Sequence, residues 1–339
     1  MVKGKKVLAV ILSGLFLIGQ TGCTDFVELK GEYQTDRVIS LGTSEDPVAV
    51  KANGYSHNMG VIGDDMKEVD GVLFSDTLGS TPYTPKGIDA CLLIDDTDGE
   101  TLISFNGYDK KYPASMTKVM TGILIMEALD SGKIHLDDVY TLKNNVPLDP
   151  DAARLSLKEG DTISVKDLVY GFLVRSLNDC GVVLAEMIAG SEKDFVEMMN
   201  AKAKELGATQ THFVNCHGLH DEEHYVTPYD LYLIFREFAK YPLVQEIDST
   251  KKYTIHYTTA EGEAKELTVN STNGFMSGKY KLPQGVEIGA WKSGTTKAAG
   301  SCLIMELYKG EKTYYVVGFK GENRDSLYKN LISLINLIP

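Results

Sequence analysis

Positive charge is in short supply: 34 Lys and Arg face 47 Asp and Glu across 339 residues, a formal net charge of -13. A polyanion needs a clustered cationic surface, so nucleic acid is excluded as a partner. Metal motifs are missing as well. There is no His-Glu-x-x-His and no Cys-x-x-Cys, and His217, His220 and His224 beside Cys216 read better as a loop near a cleft, so neither a resident metal nor a cofactor is expected. Beyond the first twenty residues no apolar stretch is long enough to span a bilayer. Internal repeats and low-complexity runs are absent.

The N-terminus sets the compartment. Lys3, Lys5 and Lys6 precede an apolar run from Val7 to Ile18, broken only by Ser13 and Gly14, and small residues then lead to Cys23. This is the anatomy of a secretory signal over residues 1–22, too short for a membrane span. Its removal takes away three lysines and no acids, leaving a net charge of about -16. The Gly22-Cys23 junction resembles a bacterial lipoprotein cleavage site, although Gln20 stands where an aliphatic residue is usual. Lipidation of Cys23 is therefore expected, with ordinary secretion as the alternative. Either way the protein is exported, to the outer face of the cytoplasmic membrane or to the cell wall. Export permits disulfides, but Cys91, Cys180, Cys216 and Cys302 lie in apolar or helical surroundings and read as buried free thiols.

Residues 23–85 are polar and acidic, without sustained periodicity, and read as a tether. From 86 onward the periodicities become regular. Ile88–Asp95 and Glu100–Phe105 form a hairpin about Asp96-Thr97-Asp98-Gly99. A helix follows Pro113 and runs to about Ala128, and further helices are expected at 165–173, 179–188, 192–206 and 228–238. Strands then follow at 288–292, 300–308 and 313–320, with a closing amphipathic helix over 326–338. Strands at both ends with helices between predict an α/β domain whose sheet is assembled from the two ends of residues 86–339, with a helical lobe inserted.

Three short patterns carry chemistry. Ser115-Met116-Thr117-Lys118 sets a hydroxyl and an amine one helical turn apart, where a lysine held neutral can take the proton of the serine nucleophile. Ser176-Leu177-Asn178 joins two helices, and Lys292-Ser293-Gly294-Thr295 ends a strand, where glycine lets a ligand approach the backbone. Each has an ordinary explanation when taken alone: a solvated pair, a helix cap, a strand end. Their order, and their distribution over helix, loop and strand, is shared by penicillin-binding proteins and class A β-lactamases.

The resemblance extends beyond these motifs. Tyr112 to Thr121, Arg175 to Cys180, Thr211 to Leu219 and Trp291 to Thr296 are similar to segments of the D-alanyl-D-alanine carboxypeptidases, low-molecular-mass penicillin-binding proteins of the serine peptidase type. The likeness covers about residues 85–339. It implies a transpeptidase/β-lactamase-like fold, with a five-stranded, mainly antiparallel sheet flanked by helices and an inserted helical lobe. It implies roles too: Ser115 as nucleophile, Lys118 as base, Ser176 as proton relay, Asn178 as substrate holder, and Lys292, Ser293, Gly294 and Thr295 as the receptor of a terminal carboxylate. The substrate implied is a peptidoglycan stem peptide ending in D-Ala-D-Ala, and β-lactams are the implied inhibitors. Ser293 stands where threonine is commoner, and Leu177 where glycine is common, which would narrow the cleft. The β-rich second domain of many relatives is not expected, and an N-terminal lipid would take the place of its membrane anchor. The alternatives are a β-lactamase, which needs a further base after the second motif, and a non-catalytic receptor for β-lactams or muropeptides.

Overall fold

The computed structural model describes residues 84–149 and 152–339 in full and, among residues 1–83, the backbone of short strands between Val7 and Phe74. The chain divides into two compact units, Met1–Thr81 and Pro82–Pro339, and the second holds every candidate residue except Cys23. The signal, the lipidation site at Cys23 and nearly all of the tether lie outside the fully described residues.

In the second unit β1 (Ala90–Asp95) and β2 (Glu100–Phe105) form the expected hairpin. The chain then crosses a 3-10 turn, Ala114–Thr117, into α1 (Lys118–Asp130), and passes two short strands, β3 (Val139–Thr141) and β4 (Thr162–Ser164). Next come α2 (Val165–Val174), α3 (Asn178–Ala189), α4 (Glu192–Glu205), α5 (Pro228–Phe238) and α6 (Pro242–Ser249). A second hairpin, β5 (Lys252–Thr258) and β6 (Ala264–Asn270), leads to β7 (Val286–Thr296), β8 (Gly300–Lys309), β9 (Lys312–Gly321) and α7 (Arg324–Ile335).

Five strands of this unit lie in one sheet in the order β7-β8-β9-β1-β2, every pair antiparallel. The C-terminal strands thus meet the first hairpin, as the arrangement of periodicities predicts. Along one face α7 inserts Leu327, Tyr328, Leu331 and Leu334 among Cys91, Leu93, Leu303, Met305 and Val316, all essentially inaccessible to solvent. Each large apolar side chain buried there contributes roughly 1.5–3 kcal/mol.

Helix starts coincide with side chains able to cap them. Ser164, Ser191, Thr227 and Asn323 each accept the N–H three residues ahead, at 2.9–3.1 Å, and Pro228 fills the first turn of α5. Such a cap is worth about 1 kcal/mol. α1 is buried on nearly all sides, Lys118 included, and so forms the axis of the helical lobe. The sequence did not point to α6 or to the four-stranded sheet β3-β4-β5-β6. β6 is exposed along nearly its whole length, which removes the apolar alternation by which strands are read.

Candidate active site

The turn that carries Ser115 is tighter than the expected α-helix. Ala114 has φ +48°, a left-handed conformation that costs a residue with a Cβ, and α1 begins only at Lys118. Two close approaches hold this turn. Gly218, φ +87°, packs so tightly on Ala114 that any Cβ there would overlap the Ala114 carbonyl. From the other side Gly294 faces the same turn, where a Cβ would stand 2.8 Å from the Pro113 oxygen and 2.9 Å from the Ser115 nitrogen. The third motif therefore needs its glycine in order to lie against the backbone of Ser115.

Ser115 is half-buried, so its hydroxyl can be reached, whereas Lys118 is wholly buried. Lys118 Nζ lies 3.2 Å from Ser115 Oγ, 2.5 Å from Asn178 Oδ1 and 2.6 Å from the carbonyl oxygen of His217. Burial, and next the neighbouring Lys292, hold its amine well below the ordinary lysine range. A neutral amine has two N–H donors and one lone pair. The two short contacts to Asn178 and His217 use the donors, which leaves the lone pair facing the Ser115 hydroxyl.

Ser176 and Lys292 form the opposite wall. Ser176 is buried at φ +67°, and its Oγ accepts from Lys292 Nζ at 3.2 Å. That ammonium also donates to the Ser293 carbonyl at 3.0 Å. Ser293 Oγ lies 3.0 Å from Thr272 Oγ1, while Thr295, exposed at the mouth, bonds the Gly294 carbonyl at 2.8 Å. All three motifs thus converge on one place. Leu177 does not narrow the cleft as the sequence suggested; its side chain is buried, against Gly171.

The histidine-rich loop serves the site by hydrogen bonding. Thr121 Oγ1 donates to the Cys216 carbonyl at 2.6 Å and Lys118 reaches that of His217, so the segment is strapped along α1. Burial pulls His217 down to about 3 and His224 to about 4, so both are neutral. Glu192 lies 3.6 Å from His217 Nε2, too far for a hydrogen bond, and accepts instead from the Cys216 N–H at 3.1 Å. No group of side chains among the described residues is placed to hold a metal ion. The four cysteines of this unit are buried and free.

Sequence reasoning missed Asp179. Its buried carboxylate accepts the N–H groups of Leu155 at 3.0 Å, Ser156 at 2.7 Å and Leu157 at 3.3 Å, and Asn178 N donates to the Ala153 carbonyl at 2.7 Å. The asparagine of the second motif is thereby fixed to an outer loop. The adjacency Asn178-Asp179 was the available signal, and it reads as a helix cap.

Residues 84–322 match the profile of the D-alanyl-D-alanine carboxypeptidase peptidase family. The chain belongs to this family. D-alanyl-D-alanine carboxypeptidase DacF of Bacillus subtilis is 36% identical over 231 residues, 68% of this chain and 56% of that protein. DacD of Escherichia coli is 34% identical over 232 residues, 67% of this chain and 56% of its own. The chain thus spans little more than half the length of these relatives. Among solved structures, penicillin-binding protein D2 of Listeria monocytogenes in its cefotaxime-bound form superposes with a TM-score of 0.64 at 27% identity, covering 76% of this chain and 99% of that one. Penicillin-binding protein 6B of Escherichia coli gives 0.65 at 31% identity, covering 76% and 78%. The fold is that of the low-molecular-mass penicillin-binding proteins, as the motifs implied.

Proposed function

We propose that this protein is an exported serine D-Ala-D-Ala carboxypeptidase that trims peptidoglycan stem peptides and is acylated by β-lactams. The observation that carries the reading is the Ser115–Lys118 pair: a reachable hydroxyl 3.2 Å from a buried amine whose pKa is depressed and whose N–H donors are engaged elsewhere.

In the first step Ser115 Oγ attacks the carbonyl between the two D-alanines while its proton passes to Lys118 Nζ. Charge gathers on the carbonyl oxygen, beside the backbone N–H groups of Ser115 and Thr295. Collapse breaks the C–N bond, and the amine of the departing D-alanine takes a proton along the Lys118 and Ser176 side of the cleft. Water then attacks the ester, giving its proton back through Lys118, and Ser115 is regenerated. Lys292, Ser293 and Thr295 receive the terminal carboxylate, with Gly294 keeping the strand close, and Asn178 holds the peptide. The requirement for a terminal carboxylate favours carboxypeptidase action.

A β-lactamase would need a carboxylate free to activate water. Asp179 and Glu192, near the second motif and the histidine loop, are both committed to backbone N–H groups. A silent receptor is disfavoured because the reactive groups are assembled. For the membrane, the leader ending at Cys23 supports a lipid anchor, which mass spectrometry of the N-terminal peptide would reveal as a diacylglycerol adduct.

The test of function is mass spectrometry of a defined muropeptide pentapeptide, together with labelling by a fluorescent penicillin. Loss of one D-alanine and a covalent label, both absent from Ser115→Ala, are expected. Label retained on Ser115→Ala would remove that serine from its role.

A further inference from the structure

Ser293 has a partner that none of the three motifs contains. Its Oγ lies 3.0 Å from the Oγ1 of Thr272, which stands 21 residues earlier on the connection between β6 and β7. Both side chains are half-buried, so the pair can be reached. The residues around Thr272 are held firmly. Ser271 N donates to the Lys251 carbonyl at 2.9 Å, and Phe275 N donates to the buried Asn273 Oδ1 at 2.9 Å. Gly274 N donates to Tyr328 Oη at 2.7 Å, and a Cβ at Gly274 would stand 2.6 Å from the Tyr280 ring and 3.0 Å from that of Tyr328. Tyr328 belongs to α7 and is part of the core under the sheet. The chain is thus tied down on both sides of Thr272, which fixes where its hydroxyl stands.

Two hydroxyls in contact carry two protons, and the bond between them uses one. When Thr272 donates, the Ser293 O–H is left over; when Ser293 donates, the Thr272 O–H is. Neither hydroxyl has another partner among the described residues. In both directions one unspent donor remains, on an oxygen that already accepts a hydrogen bond and is therefore the stronger donor. The backbone of Ser293 is held as well, since it pairs with Leu303 of β8 and its carbonyl accepts from Lys292 Nζ at 3.0 Å. A spare O–H at a fixed place beside a buried amine suits an anionic acceptor.

We infer that Thr272 belongs to the receptor for the substrate's terminal carboxylate, where it acts with Ser293 as one two-hydroxyl donor. This rests on the reading of Ser115 as nucleophile and of Ser293 as carboxylate receptor. A side chain outside the three motifs thus sets how tightly the carboxylate is held. Valine at this position keeps the shape of threonine but takes one proton and one acceptor from the pair. Ser293 is then left with an unsupported hydroxyl that is free to turn away from the ligand.

The experiment compares the full chain, Thr272→Val and Thr272→Ser on three ligands: a pentapeptide ending in D-Ala-D-Ala, benzylpenicillin, and a boronic acid that bonds Ser115 but carries no carboxylate. Thr272→Val should raise KM for the pentapeptide about fivefold at nearly unchanged kcat, and slow acylation by benzylpenicillin by about as much. Its inhibition constant for the boronic acid should stay within about twofold of wild type, because that ligand leaves the receptor unused. Thr272→Ser keeps the hydroxyl and should be close to wild type on all three. Thr272→Ala takes the place of the valine variant if that variant does not fold. Wild-type kinetics in Thr272→Val overturn the inference, and so does a serine variant as impaired as the valine one. An equal loss with the boronic acid overturns it as well, by showing that the residue only shapes the site. A wild-type protein that takes neither penicillin nor boronic acid and releases no D-alanine would instead refute the functional reading.

Discussion

Thr117 Oγ1 and His224 Nε2 lie 2.7 Å apart, and the bond between them has only one consistent direction. The other ring nitrogen of His224 accepts the Val214 N–H at 3.2 Å, so the single imidazole proton sits on Nε2 and is donated to Thr117. The threonine hydroxyl then gives its own proton to the Ala114 carbonyl at 2.8 Å. A neutral chain of donors thus ties the histidine loop to the strained residue that precedes Ser115. Thr117→Val, equal in shape but unable to make either bond, should cost about 2 kcal/mol of stability and slow penicillin acylation by about tenfold or more. Thermal denaturation beside stopped-flow acylation checks both; normal acylation in a destabilised variant would show that the tie serves folding only.

The histidines give stability a pH dependence of known sign. His217 and His224 have folded values near 3 and 4, against 6.5 in an unfolded chain, so between these limits the unfolded state binds more protons. Stability is then full above about pH 6.5 and falls as pH drops toward 4, by up to about 1.4 kcal/mol per pH unit for each histidine. Urea titrations from pH 7 to about pH 4.5 should show this slope, and His224→Gln should flatten it. A slope unchanged in that variant would assign the acid sensitivity to other groups.

On the proposed mechanism Lys118 controls the acid limb of activity. It must be neutral to act, so acylation should rise with pH through its depressed pKa, and the lowering by burial and by Lys292 places that rise well below the ordinary lysine range. Lys118→Arg stays charged and is bulkier, so acylation should fall by at least about a thousandfold while circular dichroism stays near wild type. An arginine variant that acylates at the normal rate would place the base elsewhere.

Gly218→Ala tests the steric part of the site. The added methyl meets the Ala114 carbonyl in a conformation, φ +87°, that already disfavours a side chain. A loss of several kcal/mol, or a Ser115 displaced and unreactive in a protein that still folds, is expected from melting curves and labelling. A variant with wild-type melting and labelling would show the loop to be loosely held.

Much of this was legible in the sequence, and what escaped has a physical character. Helix starts at Ser164, Ser191 and Thr227 could be read because the capping side chain is local to the turn it completes. The hairpin at Asp96-Thr97-Asp98-Gly99 was readable for the same reason. The 3-10 turn at Ser115 was not, because Gly218, about a hundred residues away, imposes it through a backbone contact. Likewise a key partner of Lys118 is the main-chain oxygen of His217, which no residue type advertises. The bond from the Trp291 N–H to the buried Asp248 of α6 escaped because it depends on a bulge in β7, between Ile288 and Trp291, that appears only when β7 pairs with β8. In β5 the inward Tyr253, Ile255 and Tyr257 did alternate, but across an exposed hairpin the signal was weak.

The fate of the acyl-enzyme follows from which carboxylates are free. Water needs a base, and the acids nearest the second motif and the histidine loop are engaged, the buried Asp179 by three loop N–H groups and the partly exposed Glu192 by the Cys216 N–H. On the proposed mechanism Lys118 is left as the base for both half-reactions. After peptide cleavage the free D-alanine diffuses away, and water can occupy the space beside Lys118 and Ser176. An opened β-lactam keeps its leaving nitrogen tethered to the acyl group, so that space stays filled. Sustained release of D-alanine from a pentapeptide is therefore expected, with hydrolysis of a chromogenic cephalosporin stopping after about one equivalent. Both are measured on one preparation, with Ser115→Ala as the blank. Continuous cephalosporin turnover without D-alanine release would reverse the assignment and make the protein a β-lactamase.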